Sequence, residues 1–158
     1  MTNVALSPTS DSLTSMLRML HGDDLNAEET SADMGTPSVY AIYVDDDDTP
    51  RAAAECDLAF GAFSGASLTR IPKGGAEDAI DEGELPTPMY DNLREVMNIL
   101  ASLFMNDSTV HVRLANVEKS RDALPSSAQT MLDDATGTTF EVEIPKYGRG
   151  LLRLVVGS

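Results

Sequence analysis

Asp91, Glu95, Asn98 and Ser102 stand at spacings of four, three and four residues, in a stretch that carries no Gly or Pro from Met89 to Met105. On an α-helix such spacings stack along one line. Two carboxylates, a carboxamide and a hydroxyl would then form a single row. An amide both donates to and accepts from a water molecule, so it fixes that water's orientation at any pH. A carboxylate beside it can anchor a cationic partner through a charge-assisted hydrogen bond. Groups of this kind suit a reaction in which water must be aimed and little covalent chemistry is asked of the protein, as in phosphoryl transfer. An ordinary solvated helix face would also be polar. Asn98 fits that plainer reading less well, because Asn is a mediocre mid-helix residue, at a cost of a few tenths of a kcal/mol.

The element that must carry this row is an amphipathic helix. Thr87 is suited to its N-cap and Pro88 to its first position, where a missing N–H loses no intrahelical bond. Leu93, Val96, Met97, Leu100, Leu103 and Phe104 fall in one arc of roughly 120°, which must face a core. The polar row lies on the opposite side.

The pattern Asp/Ser-x-x-x-Glu-x-x-Asn on a long helix resembles the signature of the CheC/CheX/FliY group of chemotaxis phosphatases, and Asp91, Glu95 and Asn98 match its fixed positions in order. Ile99-Leu100 resembles the apolar continuation after the family's Asn. The resemblance implies that the helix meets the active site of a phosphorylated CheY-like receiver protein. Asn98 would orient the water that attacks the aspartyl phosphate, and Glu95 would hold the receiver's Lys. Asp91 and Ser102 would be peripheral contacts to the partner. Mg²⁺ would belong to the receiver, and this chain would need no cofactor or metal of its own. The family places a small Gly soon after its Asn, where this chain has Ala101 and Ser102. The family's Pro about two dozen residues later is matched only by the more distant Pro125. These departures keep open a second reading, a non-catalytic binding or adaptor module on the same fold. A single copy of the motif makes the layout more similar to CheX than to CheC. Since relatives of CheX pair through their sheets, a homodimer is implied.

The whole chain sets the bounds for either reading. Its 158 residues suffice for one domain with a core, expected to span 1–158. A net charge of −15 argues against nucleic acid or an anionic membrane as partner. The single Cys56 permits no internal disulfide, which suits a reducing cytoplasm. No basic start followed by an apolar run marks a secretory signal, and no run reaches membrane-spanning length.

The other stretches read as scaffold. Residues 1–8 are expected to be loose and residues 22–37 to form an acidic linker. Leu13, Met16, Leu17 and Leu20 predict a helix over about 9–21, with His21 at its C-terminus, where an imidazolium would suit the dipole. Val39–Val44 is the clearest strand, with a return from Arg51 to Cys56 after the acidic turn Asp45–Asp48. That turn lacks the Gly and the closing Glu of an EF-hand loop, and a solvated charged turn is expected. Asp57 can cap a helix running to Arg70, in which Gly61 and Gly65 would allow close backbone approach. Ser64 is off-centre for a nucleophile elbow. Lys73-Gly74-Gly75 lacks Walker spacing and reads as a turn before a short helix from Ala76 to Ile80. A strand with Val110, Val112 and Leu114, a loop over 116–125 and a helix from Ser126 to Leu132 follow. A hairpin of Phe140–Ile144 and Leu151–Val156, joined by a turn over 145–150, closes the chain. The expected class is mixed α/β (α+β): a CheX/CheC-like, antiparallel-rich sheet packed against long helices. No Ser-His-Asp set, metal cluster or paired-carboxylate cleft emerges from the spacings, so a hydrolase with its own active site is disfavoured.

Overall fold

The computed structural model describes residues 4–35, 37–133 and 137–157. Among the described residues, six strands form one fully antiparallel sheet in the order β1-β5-β6-β3-β2-β4. The strands are β1 (Asn26–Glu29), β2 (Ser38–Val44), β3 (Pro50–Asp57), β4 (Arg113–Glu118), β5 (Thr138–Ile144) and β6 (Gly148–Val156). Five α-helices accompany them among the described residues: α1 (Ser10–His21), α2 (Leu58–Leu68), α3 (Lys73–Glu82), α4 (Thr87–Leu100) and α5 (Ser126–Asp133).

Alternation along the strands builds two cores. Val39, Ala41 and Tyr43 of β2 join Ala52, Ala54 and Cys56 of β3 in the larger core, which also takes Leu13 and Leu17 of α1, Phe60 of α2 and Leu93, Val96 and Met97 of α4. Tyr40, Ile42 and Val44 point the other way, onto Leu124, Ala128, Met131 and Leu132 in and around α5. This is why all seven residues of β2 are buried: the strand is covered on both faces, and its sequence is a continuous apolar run rather than an alternating one. Cys56 lies inside the larger core, and burial raises its thiol well above the ordinary range, so it behaves as a small apolar residue.

Several sequence expectations need correction. Within the expected acidic linker, residues 26–29 form β1 on the edge of the sheet, paired with β5. Leu25 and Ala27 are buried between exposed Asn26 and Glu28, an alternation too short to stand out in an acidic stretch. The outer side of β1 is not left bare. Ser10 Oγ and Thr14 Oγ1 donate to the Ala27 carbonyl, and Arg18 Nε donates to that of Leu25, so α1 covers an edge that would otherwise invite pairing. Residues 4–8, expected to be loose, are engaged: Ala5 is buried, and the Leu6 N–H donates to the Phe104 carbonyl at 2.7 Å. Residues 1–3 lie outside the described residues. β4 starts late, at Arg113, because the Val110 N–H donates to the Val4 carbonyl of the N-terminal segment and the Val112 N–H to the Met105 sulfur, rather than to a strand. β4 then runs to Glu118, through part of the expected loop. Lys73-Gly74-Gly75 is the first turn of α3, not a preceding turn.

The acidic turn is also less solvated than expected. Asp45 is buried, and its carboxylate accepts from the N–H groups of Asp47 and Thr49 and from Arg51 Nε at 2.7 Å. The Arg51 hydrogen bond, aided by those amides, holds this carboxyl below its ordinary range.

Candidate functional site

The polar row stands on α4, which begins one residue earlier than expected. Pro86 occupies the N-cap without a side-chain bond, Thr87 is the first helical residue, and Pro88 follows in the first turn. The predicted apolar arc is buried in full: Leu93, Val96, Met97 and Leu100 on α4, then Leu103 and Phe104 on a 3-10 turn over Ala101–Phe104.

Three side chains fix α4 on the sheet and on α2. Tyr90 Oη donates to the Val117 carbonyl of β4 at 2.9 Å. On the opposite flank, Asn92 Nδ2 donates to the Gly65 carbonyl and to Thr69 Oγ1 at the end of α2. From below, the buried Tyr43 hydroxyl donates to the Met97 carbonyl at 2.6 Å. The third contact explains where the helix changes pitch. In a continuing α-helix the Met97 carbonyl would accept from Ala101, but the Ala101 N–H turns to Asn98 and Ile99 instead. Tyr43 supplies the replacement donor, so the tightening after Asn98 leaves no buried carbonyl unpaired.

Gly61 and Gly65 perform the packing role expected of them. A methyl group on Gly65 would lie 2.5 Å from the Met89 carbonyl oxygen, and one on Gly61 would press on Leu85 and Leu93. α2 and α4 therefore meet almost backbone to backbone.

On this fixed helix Asp91, Glu95, Asn98 and Ser102 are all exposed. Between Glu95 and Asn98 the axial rise is roughly 4.5 Å. Among the described residues no hydrogen bond or ion pair engages the side chains of Asp91, Glu95 or Asn98. Ser102 differs: its hydroxyl donates to the Ile99 carbonyl and lies 3.9 Å from the Met16 sulfur of α1. The row therefore ends against α1, with three polar groups open to a visitor and the fourth partly engaged. Chemically, this offers two carboxylate acceptors for a cationic group and one amide able to hold a water, on a backbone whose position is set by buried contacts.

His21 was expected to be an imidazolium at a helix end. It is instead half-buried, with Nδ1 3.0 Å from Ser67 Oγ and Nε2 3.2 Å from Ser64 Oγ. Burial lowers its pKa to about 4, so the ring is neutral. His111 is exposed. Among the described residues no group of three or more His, Cys, Asp or Glu is placed to hold a metal ion, and no helix is long and apolar enough to cross a membrane.

No family model matches the sequence, and no curated protein matches it either. Solved structures do. The FliM middle domain from H. pylori superposes with a TM-score of 0.57 at 13% identity, covering 93% of this chain and 84% of that one. The FliM–SpeE complex from H. pylori gives 0.57 at 13% identity, over 93% and 80% of the two chains. The CheX–CheY–BeF3–Mg²⁺ complex from Borrelia burgdorferi gives 0.54 at 12% identity, over 92% of each chain. The likeness spans almost the whole chain, and at these identities it establishes the fold: the mixed α+β arrangement shared by CheX and the FliM middle domain.

Proposed function

We propose that this chain, built on the fold of CheX and the FliM middle domain, acts on phosphorylated CheY-like receiver proteins as an aspartyl-phosphate phosphatase. The observation that carries the reading is the open row of Asp91, Glu95 and Asn98 on a helix whose buried face and flanks are held fast. Glu95 docks a lysine of the receiver, while Asp91 and Ser102 make peripheral contacts. Asn98 accepts from and donates to a water, aiming its oxygen at phosphorus in line with the aspartyl oxygen. The new P–O bond forms as the bond to the aspartyl oxygen breaks, releasing the receiver's carboxylate and inorganic phosphate. Mg²⁺, where the receiver holds it, would supply charge neutralisation on the phosphoryl oxygens, and this chain contributes no ligand to it. The contribution of this chain is positioning, which is most of what phosphoryl transfer requires of a protein.

The test is the decay of a phosphorylated receiver with and without this protein. The parent should accelerate decay; Asn98→Ala should abolish the acceleration while leaving complex formation intact. An Asn98→Ala protein as active as the parent rejects the mechanism. A second reading is favoured by Ala101 and Ser102 in place of the family's small Gly and by the FliM-type neighbours: the row docks a partner without catalysis. It expects a stable complex in which the receiver's phosphate lifetime is unchanged.

A further inference from the structure

A second feature lies away from the row on α4. A cleft of about 730 Å³ opens between the end of α1, the α2–α3 connection and the β5–β6 turn. Its walls carry Arg70, Lys73 and Lys146, together with His21, Ser67, Tyr147, Asp23 and Asp24. In a chain of net charge −15, three cations on one cleft are unexpected.

They are also the cations that the rest of the fold does not use. The chain has eleven Lys and Arg residues. Among the described residues, six of them form ion pairs. Arg18 is bonded to Leu25 and Asn26, and Arg94 interacts with Tyr90. The three that remain are Arg70, Lys73 and Lys146.

The backbone holds them there at a cost. Arg70 and Lys146 have φ of 60° and 70°, the left-handed region where Gly or Asn is the cheaper choice. Lys73 opens α3 behind Pro72, which offers no side-chain cap, so a cation sits at the positive end of the helix dipole. An anion in the cleft would offset the repulsion between Lys73 and the helix dipole, while the backbone cost at Arg70 and Lys146 is carried by the fold. The two loops are tied together by Tyr147 Oη, which donates to the Ile71 carbonyl at 2.6 Å. The backbone segments that carry these exposed cations are therefore joined before any ligand arrives.

We propose that this cleft binds a small phosphate-bearing molecule, with Arg70, Lys73 and Lys146 on the phosphate. The volume lies within the range that accommodates a small organic ligand and far exceeds what a bare phosphate needs. Asp23 and Asp24 cannot serve the phosphate, but their carboxylates accept from hydroxyl groups. The class that satisfies both sets is a phosphorylated sugar or polyol.

Thermal unfolding of the full chain at constant ionic strength tests this, with ribose 5-phosphate, ribose and inorganic phosphate as separate arms. Ribose 5-phosphate should raise Tm saturably, and ribose should not. An equal response to inorganic phosphate assigns the site to the free anion, which retains the phosphate contacts. Lys73→Gln combined with Lys146→Asn should weaken the response at least tenfold. Lys73→Gln alone, an exposed change on α3, should weaken it less. Arg149→Gln, a cation paired elsewhere, should leave it unchanged. The proposal is overturned if no arm shifts Tm up to about 10 mM, where even a Kd of about 1 mM gives near-saturation. It is equally overturned if the double variant responds like the parent.

Discussion

Two side chains show how a single polar group can govern its surroundings. Tyr43 lies beneath the turn that carries Asn98, and its hydroxyl is the donor that replaces Ala101 at the Met97 carbonyl. Tyr43→Phe keeps the ring, including its contact with Phe104 at 4.9 Å between centroids, but leaves that carbonyl without its donor. A loss of about 1–3 kcal/mol is expected, measured by urea unfolding; an unchanged midpoint would mean that the helix end rebuilds its own bond. His21 gives a pH dependence. In the unfolded chain the imidazole titrates near 6.5, and in the fold near 4. Between these values the unfolded state binds the proton and the native state does not, so stability falls as pH falls. The contribution of the neutral ring is complete above 6.5 and is lost on descending to about 4, a total of about 2–3 kcal/mol. His21→Gln should lack that increment. Parallel pH–stability curves for parent and variant across this window would refute the assignment. Asn98→Ala, by contrast, should leave stability within about 0.5 kcal/mol of the parent, because the side chain is exposed and the fold makes no use of it.

At the level of elements, α2 is the hinge of the architecture. Asp57 begins it, accepting from the Phe60 N–H at 2.8 Å and from the Leu151 N–H of β6 at 3.1 Å, so one carboxylate both caps the helix and pins it to the sheet. Gly65 then brings its backbone against the first turn of α4. Gly65→Ala would force the Met89 backbone outward, since the obstructing atom is a carbonyl oxygen rather than a flexible side chain. A cost of about 1–3 kcal/mol is expected. Under the proposed function this substitution should also reduce receiver dephosphorylation, because it displaces the helix that carries the row. A calorimetric Tm equal to the parent's would show that the two helices separate without penalty. Gly61 and Gly65 stand out in the sequence as a close-approach pair, because two small residues four apart on one helix leave a groove. β1 does not stand out, because four residues in an acidic stretch carry almost no periodic signal; the edge is specified by what covers it, namely Ser10, Thr14 and Arg18 of α1.

Over the whole molecule, the charge of −15 works against compaction. Raising salt from about 0.01 M to 0.5 M shortens the screening length from roughly 30 Å to below 10 Å. Tm should rise, by roughly 2–4 °C for each kcal/mol of repulsion screened. A fall would mean that ion pairs such as Arg51–Asp45 and Arg153–Glu55 outweigh the net repulsion. The local patterns were sufficient to place α4, its buried arc, its exposed row and the two hairpins, because helical and strand periodicities are properties of contiguous residues. The sheet order, the two-sided burial of β2, the neutral state of His21 and the gathering of Arg70, Lys73 and Lys146 were decided by tertiary structure alone. Those features depend on contacts between segments far apart in the chain, and neither a burial-shifted pKa nor the approach of Lys146 to Arg70 and Lys73 leaves a spacing that could be read beforehand.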